Sequence, residues 1–397
     1  MRNMRNTFVL LVAAVLLSAC GGSPKSNKDA ESGVYHINYE ECLANERTLR
    51  LSEIADTIEY LELKTPDDLI ITFVINVIPV EDFILVHCRD GLFKFKRNGD
   101  FVTRVGRGGQ GPGEHIRTYA VDVDRERKEI IHTDIKQVLF YDYDGNFLRS
   151  LKSDAHLRMA FSDSVIWGGN QEIHIKKDKL YAMSRDLDTL LTLPNPVYKE
   201  RSLNEGVMSS VTKFQTEFYH YGDDLFYKGY LSNDTIFKLS GLAHAPYAVF
   251  DMGKYKLPHD YEAWYSFKDF EAHGSNYWGV YSVCENDENM FFASVRCSAI
   301  PGDREFRDED YYKHFLYDKE RREGYYIKDK ILDDISGGPG FWPRWIFDGY
   351  YVTAVEWYDL SEEIKAGGYE LSDAAKAQFA TFDYGTNPVL IMCKMKE

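Results

Sequence analysis

The pentapeptide Phe341-Trp342-Pro343-Arg344-Trp345 sets two indoles beside a guanidinium, directly after the glycine-rich run Gly337 to Gly340. A second concentration, Tyr261 to Trp278, holds Trp264, Tyr265, Phe267, Phe270, His273, Tyr277 and Trp278. Aromatic faces stack on sugar rings or grip peptide, while Arg and His beside them supply hydrogen bonds to hydroxyls and carboxylates. Trp264, Trp278, His273, Trp342, Arg344 and Trp345 are therefore the candidate ligand-binding residues. The same rings would serve as core, because each buries a large apolar area, and the sequence leaves both roles open.

Patterns for catalysis are weaker. Gly106-x-Gly108-x-x-Gly111 matches the dinucleotide-binding spacing and follows a β-rich run, but that chemistry needs a helix N-terminus directly after the glycines to hold the pyrophosphate. Here Pro112-Gly113 intervenes and another β-rich run follows, so the segment is expected to cross between sheets, with glycines supplying positive φ and close backbone approach. Asp142-x-Asp144-Gly145-Asn146 departs from a calcium loop in its third oxygen ligand, its glycine position and its distal Glu, and is expected to be a hairpin turn. No His-Glu-x-x-His or Gly-x-Ser-x-Gly occurs, so the sequence calls for no metal, no cofactor and no assigned catalytic residue. Carboxylate pairs such as Asp333-Asp334 and Glu362-Glu363 are adjacent in sequence and read as solvated turns. Acid chemistry on a glycosidic bond would need two carboxylates placed across a cleft.

The elements that must position these residues are short and β-rich. Phe83 to Val86, Leu92 to Phe95, Val121 to Val123, Glu129 to Ile131, Val138 to Tyr141 and Asn146 to Leu148 recur with Gly, Asn and Asp at the breaks, as in an all-β meander. Phe93 to Phe101 and Phe140 to Phe147 share an aromatic strand, an Asn-Gly or Asp-Gly turn and an aromatic restart, with a period of 46 residues between Gly99 and Gly145. Both dipeptides predict type I′ hairpins. Weaker copies follow at Leu180 to Leu193, Leu225 to Leu239, Phe315 to Ile327 and Tyr350 to Trp357. Four-strand units at this period imply radial stacking, because each small sheet needs neighbours to cover its faces. Six units would take about 58 residues each, so the surplus over a bare repeat belongs in loops at Pro194 to Ser210, Tyr255 to Trp278 and Leu360 to Gly385. The last is expected to hold two short helices, Glu362 to Ala366 and Asp373 to Phe379, the second capped by Ser372.

The chain opens with Arg2 and Arg5, an apolar run from Phe8 to Leu17, and Leu17-Ser18-Ala19-Cys20. This is the plan of a secretory leader, too short for a membrane span. The cysteine after the cut resembles the lipobox of bacterial lipoproteins, which implies that Cys20 carries a diacylglycerol and anchors the chain to membrane. The expected division is a leader over 1–19, lipidated Cys20 with a flexible spacer to 47, and one domain over 48–397. Acidic residues directly after such a cysteine resemble a bacterial surface-export signal, and their absence after Cys20 implies the periplasmic side of the outer membrane over the cell surface. With 63 Asp and Glu against 47 Lys and Arg, net charge −16, and no basic stripe, nucleic acid is not an expected partner. The other five cysteines are odd in number and lack CxxC spacing. Pairing Val280 to Cys284 with Met290 to Cys297 sets Cys284 opposite Phe291 and about 20 Å from Cys297, so free buried thiols are expected.

Gly106 to Glu114, Asn233 to Leu239, Gly337 to Pro343 and Asn387 to Met392 together resemble the six-bladed β-propeller lipoproteins of Bacteroidota. His115 stands where that family commonly has an aromatic. The resemblance implies an all-β, six-bladed β-propeller with a short helical insertion near the C-terminus, and no particular activity. Two functions follow as expectations: a non-catalytic binding or scaffolding module for a glycan or an envelope protein, or an enzyme acting on glycan or peptide in the propeller channel.

Overall fold

The computed structural model describes residues 33–396 except 135, 154–156, 171–176, 196–197, 199–217, 230–233, 259–273 and 298–310. The leader, Cys20 and the proposed spacer up to residue 32 lie outside the described residues. Among the described residues, no helix is long and apolar enough to cross a membrane.

The protein is a six-bladed β-propeller. The first blade is Val74–Val80, Phe83–Cys88, Gly91–Lys96 and Phe101–Val105, each strand antiparallel to the next. The second runs Ala120–Asp124, Glu129–Thr133, Gln137–Asp142 and Phe147–Lys152, and the third Leu157–Ser162, Val165–Asn170, Asp178–Met183 and Thr189–Pro194. Phe218–Tyr221, Asp224–Lys228, Thr235–Ser240 and Ala243–Asp251 make the fourth. Trp278–Glu285, Asn289–Arg296, Tyr312–Asp318 and Glu323–Ile327 make the fifth. The sixth takes Trp345–Phe347, Tyr350–Val355 and Val389–Met395 from the end of the chain and Ala55–Glu62 from its beginning.

That shared blade closes the ring. Tyr60 pairs with Ile391 and Glu62 with Val389, so the edge that an open sheet would expose is covered by the other end of the chain. The core lies between blades rather than at a single centre. Val352 and Leu390 of the sixth blade pack with Val77, Val86, Phe93 and Phe95 of the first. Val105 of the first packs with Val121, Ile130 and Leu139 of the second. Equivalent clusters join blades two and three, three and four, four and five, and five and six.

The domain boundary needs correction. Structure begins well before position 48: Tyr35–Asn38 adds a parallel fifth strand to the fourth blade, and Glu46–Arg47 adds one to the fifth. The helix Tyr39–Ala44 between them buries Tyr39 and Cys42, and the side chain of its N-cap Asn38 accepts from the Glu41 amide. The segment after the spacer is therefore a strap laid over outer blade edges, which the short apolar pattern Tyr35, Ile37, Tyr39, Cys42 did not reveal by itself.

The Asn-Gly and Asp-Gly turns also differ from expectation. Gly99 (φ 84°) and Gly145 (φ 85°) are left-handed, but Asn98 and Asp144 are not, so neither turn is type I′. Each is a type I turn closed by a glycine bulge: Gly99 N–H donates to Lys96 O and the register shifts at Lys94/Phe95, and Gly145 N–H donates to Asp142 O with a shift at Phe140/Tyr141. In the second turn the Asp142 carboxylate accepts from the Asp144 and Asn146 amides, which holds the first central residue right-handed.

The helical insertion is present, as Trp357–Gly367 and Asp373–Phe379. Its first helix starts five residues earlier than expected and stops at left-handed Gly368, and the Ser372 side chain caps the second. Cys42, Cys88, Cys284, Cys297 and Cys393 are buried and form no disulfide among the described residues, with Cys284 opposite Phe291.

Candidate binding channel

The first strand of each blade lines a central cavity of about 1900 Å³, and residues from all six blades reach it. One stretch of its wall is built by two irregularities. Among the six ladders that join a blade's first and second strands, only those of blades one and five shift register, at Ile75 and Tyr281. A bulged residue leaves the alternation of its strand and re-aims its neighbours. At Ile75 the freed carbonyl accepts Arg344 Nη2 at 3.2 Å, and the Val74 carbonyl accepts Arg344 Nη1 at 3.2 Å. At Tyr281 a phenol is added to the channel lining.

Arg344 is thereby held on two backbone carbonyls, with its guanidinium 4.5 Å from the Trp345 ring centroid. Water reaches the residue, yet channel walls surround it. No carboxylate forms an ion pair with it among the described residues, and burial lowers its pKa with only the Tyr281 phenol opposing. Burial raises the Tyr281 pKa against the pull of two guanidiniums, Arg344 and Arg158, so the three groups share one stretch of channel. His87 lines the same cavity, 2% exposed, with Nε2 unpartnered. Burial first, then Arg158 and His115, push the His87 pKa down to about 3, leaving it neutral. His314, beside Trp342 at 4.6 Å, is likewise pushed down to about 3 by burial and Lys330.

A carboxylate-rich group lies elsewhere on the lining. His220 Nε2 sits 3.1 Å from Asp122 Oδ2, and although burial opposes its charge, Asp122 outweighs that and raises its pKa. Asp122 also accepts the Phe161 amide at 2.7 Å. Glu285, buried, accepts the Tyr219 and Tyr247 hydroxyls at 2.6 Å each and Lys319 Nζ at 2.6 Å. Burial lowers the Lys319 pKa even beside that carboxylate.

The sequence candidates separate. Arg344 and Trp345 line the channel, and Trp342 borders it too but is 8% exposed and packs into the core between blades five and six, edge-on to Phe291. Trp278, 5% exposed, belongs to the core between blades four and five, with Arg296 and Lys313 over its ring at 5.3 and 5.2 Å. Trp264 and His273 lie outside the described residues. Sequence reasoning missed Arg158, Tyr281, His87 and the His220–Asp122 pair, because no local pattern marks a strand residue that faces a ring axis.

The glycine signature is a crossover between blades one and two, as expected. Arg107–Gly108 pairs in parallel with Glu114–His115, and the Gly111 amide donates to Glu114 Oε2 at 2.8 Å. A strand, not a helix, follows at Ala120–Asp124. The His115 ring lies 4.3 Å from that of His132, tilted by 54°. Among the described residues, no group of three or more His, Cys, Asp or Glu is placed to hold a metal ion.

Comparison with solved structures supports the same architecture. An exported protein of Bacteroides fragilis NCTC 9343 superposes with a TM-score of 0.70 at 18% identity, over 92% of this chain and 100% of that one. A member of the duf4221 family from Bacteroides vulgatus ATCC 8482 gives a TM-score of 0.50 at 12% identity, covering 87% of this chain and 98% of that one. No curated protein matches the sequence. The model of one protein family matches residues 34–394, the whole propeller with its strap, and the chain belongs to that family, the Domain of unknown function (DUF4934).

Proposed function

We propose that this chain is a lipid-anchored, extracytoplasmic binding module that holds a glycan or a segment of an envelope protein in the propeller channel without transforming it. The observation that carries the reading is the channel itself: about 1900 Å³, reached by all six blades, and lined with rings, guanidiniums and hydroxyls set among aliphatic side chains. The leader with Cys20 supports export and anchoring, and the similar fold of an exported Bacteroides protein agrees with that location. Placement on the periplasmic side of the outer membrane rests on the residues after Cys20.

One observation favours the enzyme reading, the His220–Asp122 pair on the channel wall, which supplies a base and the group that orients it. Against turnover, Asp122 is tied to the Phe161 amide, and both oxygens of Glu285 accept from tyrosines. The test is a panel of defined oligosaccharides and peptides presented to the purified protein, with mass spectrometry of the panel afterwards. Saturable retention that falls in Trp345→Ala, with the panel chemically unchanged, is expected. Product formation that disappears in His220→Ala would overturn the non-catalytic reading in favour of the enzyme.

A further inference from the structure

The structure assigns a carboxylate subsite to the stretch of channel between Arg344, Arg158 and Tyr281, so that the ligand held in the channel is an acidic one. The inference rests on the channel reading above and narrows its ligand class. Three features converge on it.

The first is the state of Arg344. Of its five N–H donors, one on Nη1 and one on Nη2 are taken by the Val74 and Ile75 carbonyls, which fix the plane of the guanidinium without neutralising it. Two other channel cations do have carboxylate partners, Arg97 with Asp348 and His220 with Asp122. A fixed guanidinium with donors left over and no carboxylate partner is prepared for a planar two-oxygen acceptor, which such a fork binds with two parallel hydrogen bonds.

The second is convergence. In a chain of net charge −16, two arginines from different blades, Arg158 in the third and Arg344 at the start of the sixth, bear on one phenol of the fifth. Both guanidiniums favour an anion placed beside them. Tyr281 contributes a hydroxyl donor, and His87 presents an unpartnered imidazole nitrogen from the first blade. A buried polar atom without a partner is destabilising, and a bound polar ligand relieves it.

The third is construction. The two register shifts described above fall at the residue that supplies the carbonyl for Arg344 and at Tyr281 itself. Regular ladders would place neither group as it stands, and the remaining inner ladders are regular. Trp345 beneath the guanidinium offers an apolar face beside the charge, the arrangement that suits an acidic sugar ring or a peptide C-terminus.

The experiment uses two probes that carry the same group from different sources, trigalacturonate and N-acetyl-trialanine, each against its uncharged form, the methyl ester and the C-terminal amide. Calorimetric titration of the wild type is expected to show one acidic probe binding at least about tenfold tighter than its neutral form, with the preference weakening as salt rises. Arg344→Gln and, independently, Arg158→Gln should each reduce that preference to about twofold or less while melting within a few degrees of wild type. Whichever acid shows the preference identifies the source. Equal binding of acidic and neutral forms that is lost in Trp345→Ala would overturn the carboxylate subsite and leave the channel reading standing. Acid preference that survives Trp345→Ala and both arginine variants would place the ligand outside the channel and overturn both. Failure of both acids to bind at millimolar concentration overturns the subsite.

Discussion

Removing the last strand, Val389 to Glu397, tests ring closure, because that strand is paired on both sides, with Tyr350–Val355 and with Ala55–Glu62. Val389, Leu390 and Cys393 are fully buried and Ile391 is nearly so. At about 1.5–3 kcal/mol for each buried side chain, the lost burial alone is roughly 6–12 kcal/mol. Total stabilities run at about 5–15 kcal/mol, so the truncated chain should not hold a closed ring. It also leaves Ala55–Glu62 without its ladder partner and exposes the edge of Tyr350–Val355. A graded form is Leu390→Ala, which empties a site in the core between the last and first blades at a cost of about 2–5 kcal/mol. With about 2.1 cal/mol/K per residue over a domain of this size, that corresponds to a Tm lower by about 3–7 °C. Calorimetry of the three proteins is the assay. A truncated protein that melts cooperatively at the wild-type temperature would refute the account of closure.

Trp278→Ala should cost about 3–5 kcal/mol in urea unfolding, because its ring is core between two blades; an effect under about 1 kcal/mol would return it to the list of ligand contacts. Acidification should destabilise the protein through His87 and His132, whose folded pKa values lie below the ordinary 6.5 because both are buried. The unfolded chain then binds more protons, so stability is fully present above about pH 6.5 and falls as pH drops, by about 1.4 kcal/mol per unit for each histidine. His132→Leu should show a shallower loss between pH 7 and 5.5 in urea titrations, and slopes equal to wild type would contradict the assignment. Gly99→Ala and Gly145→Ala share a turn type but not surroundings: a Cβ at Gly99 collides with the Glu62 carbonyl, whereas at Gly145 its nearest neighbour is 3.5 Å away. Gly145→Ala should cost about 1–2 kcal/mol, the conformational penalty alone, and Gly99→Ala clearly more; equal Tm losses would sink this reading.

The sequence made the propeller legible because blade chemistry is local. Aromatic strands, polar turns and a period of 46 residues do not depend on distant contacts. The strap was not legible: Tyr35–Asn38 and Glu46–Arg47 are short, and they become strands only because Ala243–Asp251 and Glu323–Ile327 present open edges more than 200 residues away. The turns were read by dipeptide, but side-chain acceptance by Asp142 decided the backbone. Aromatic composition found Arg344 and Trp345 and, by the same signal, Trp342 and Trp278, which are core. Composition measures what a ring can bury and not which way it faces. Arg158 and Tyr281 carry no motif; their convergence comes from three blades meeting at one axis, and for Tyr281 from a bulge that alternation alone does not predict.

Filling the channel tests the central claim most directly. Ala120 begins the first strand of blade two, lines the cavity and is only partly buried, so Ala120→Trp adds an indole to the open space. Titrating this variant with the ligand retained by the wild type, after a melt to establish that it is folded, compares the filled and open channels. The account predicts that affinity falls at least about a hundredfold while Tm stays within a few degrees. A folded, channel-filled protein that binds as tightly as the wild type would place the site elsewhere on the propeller.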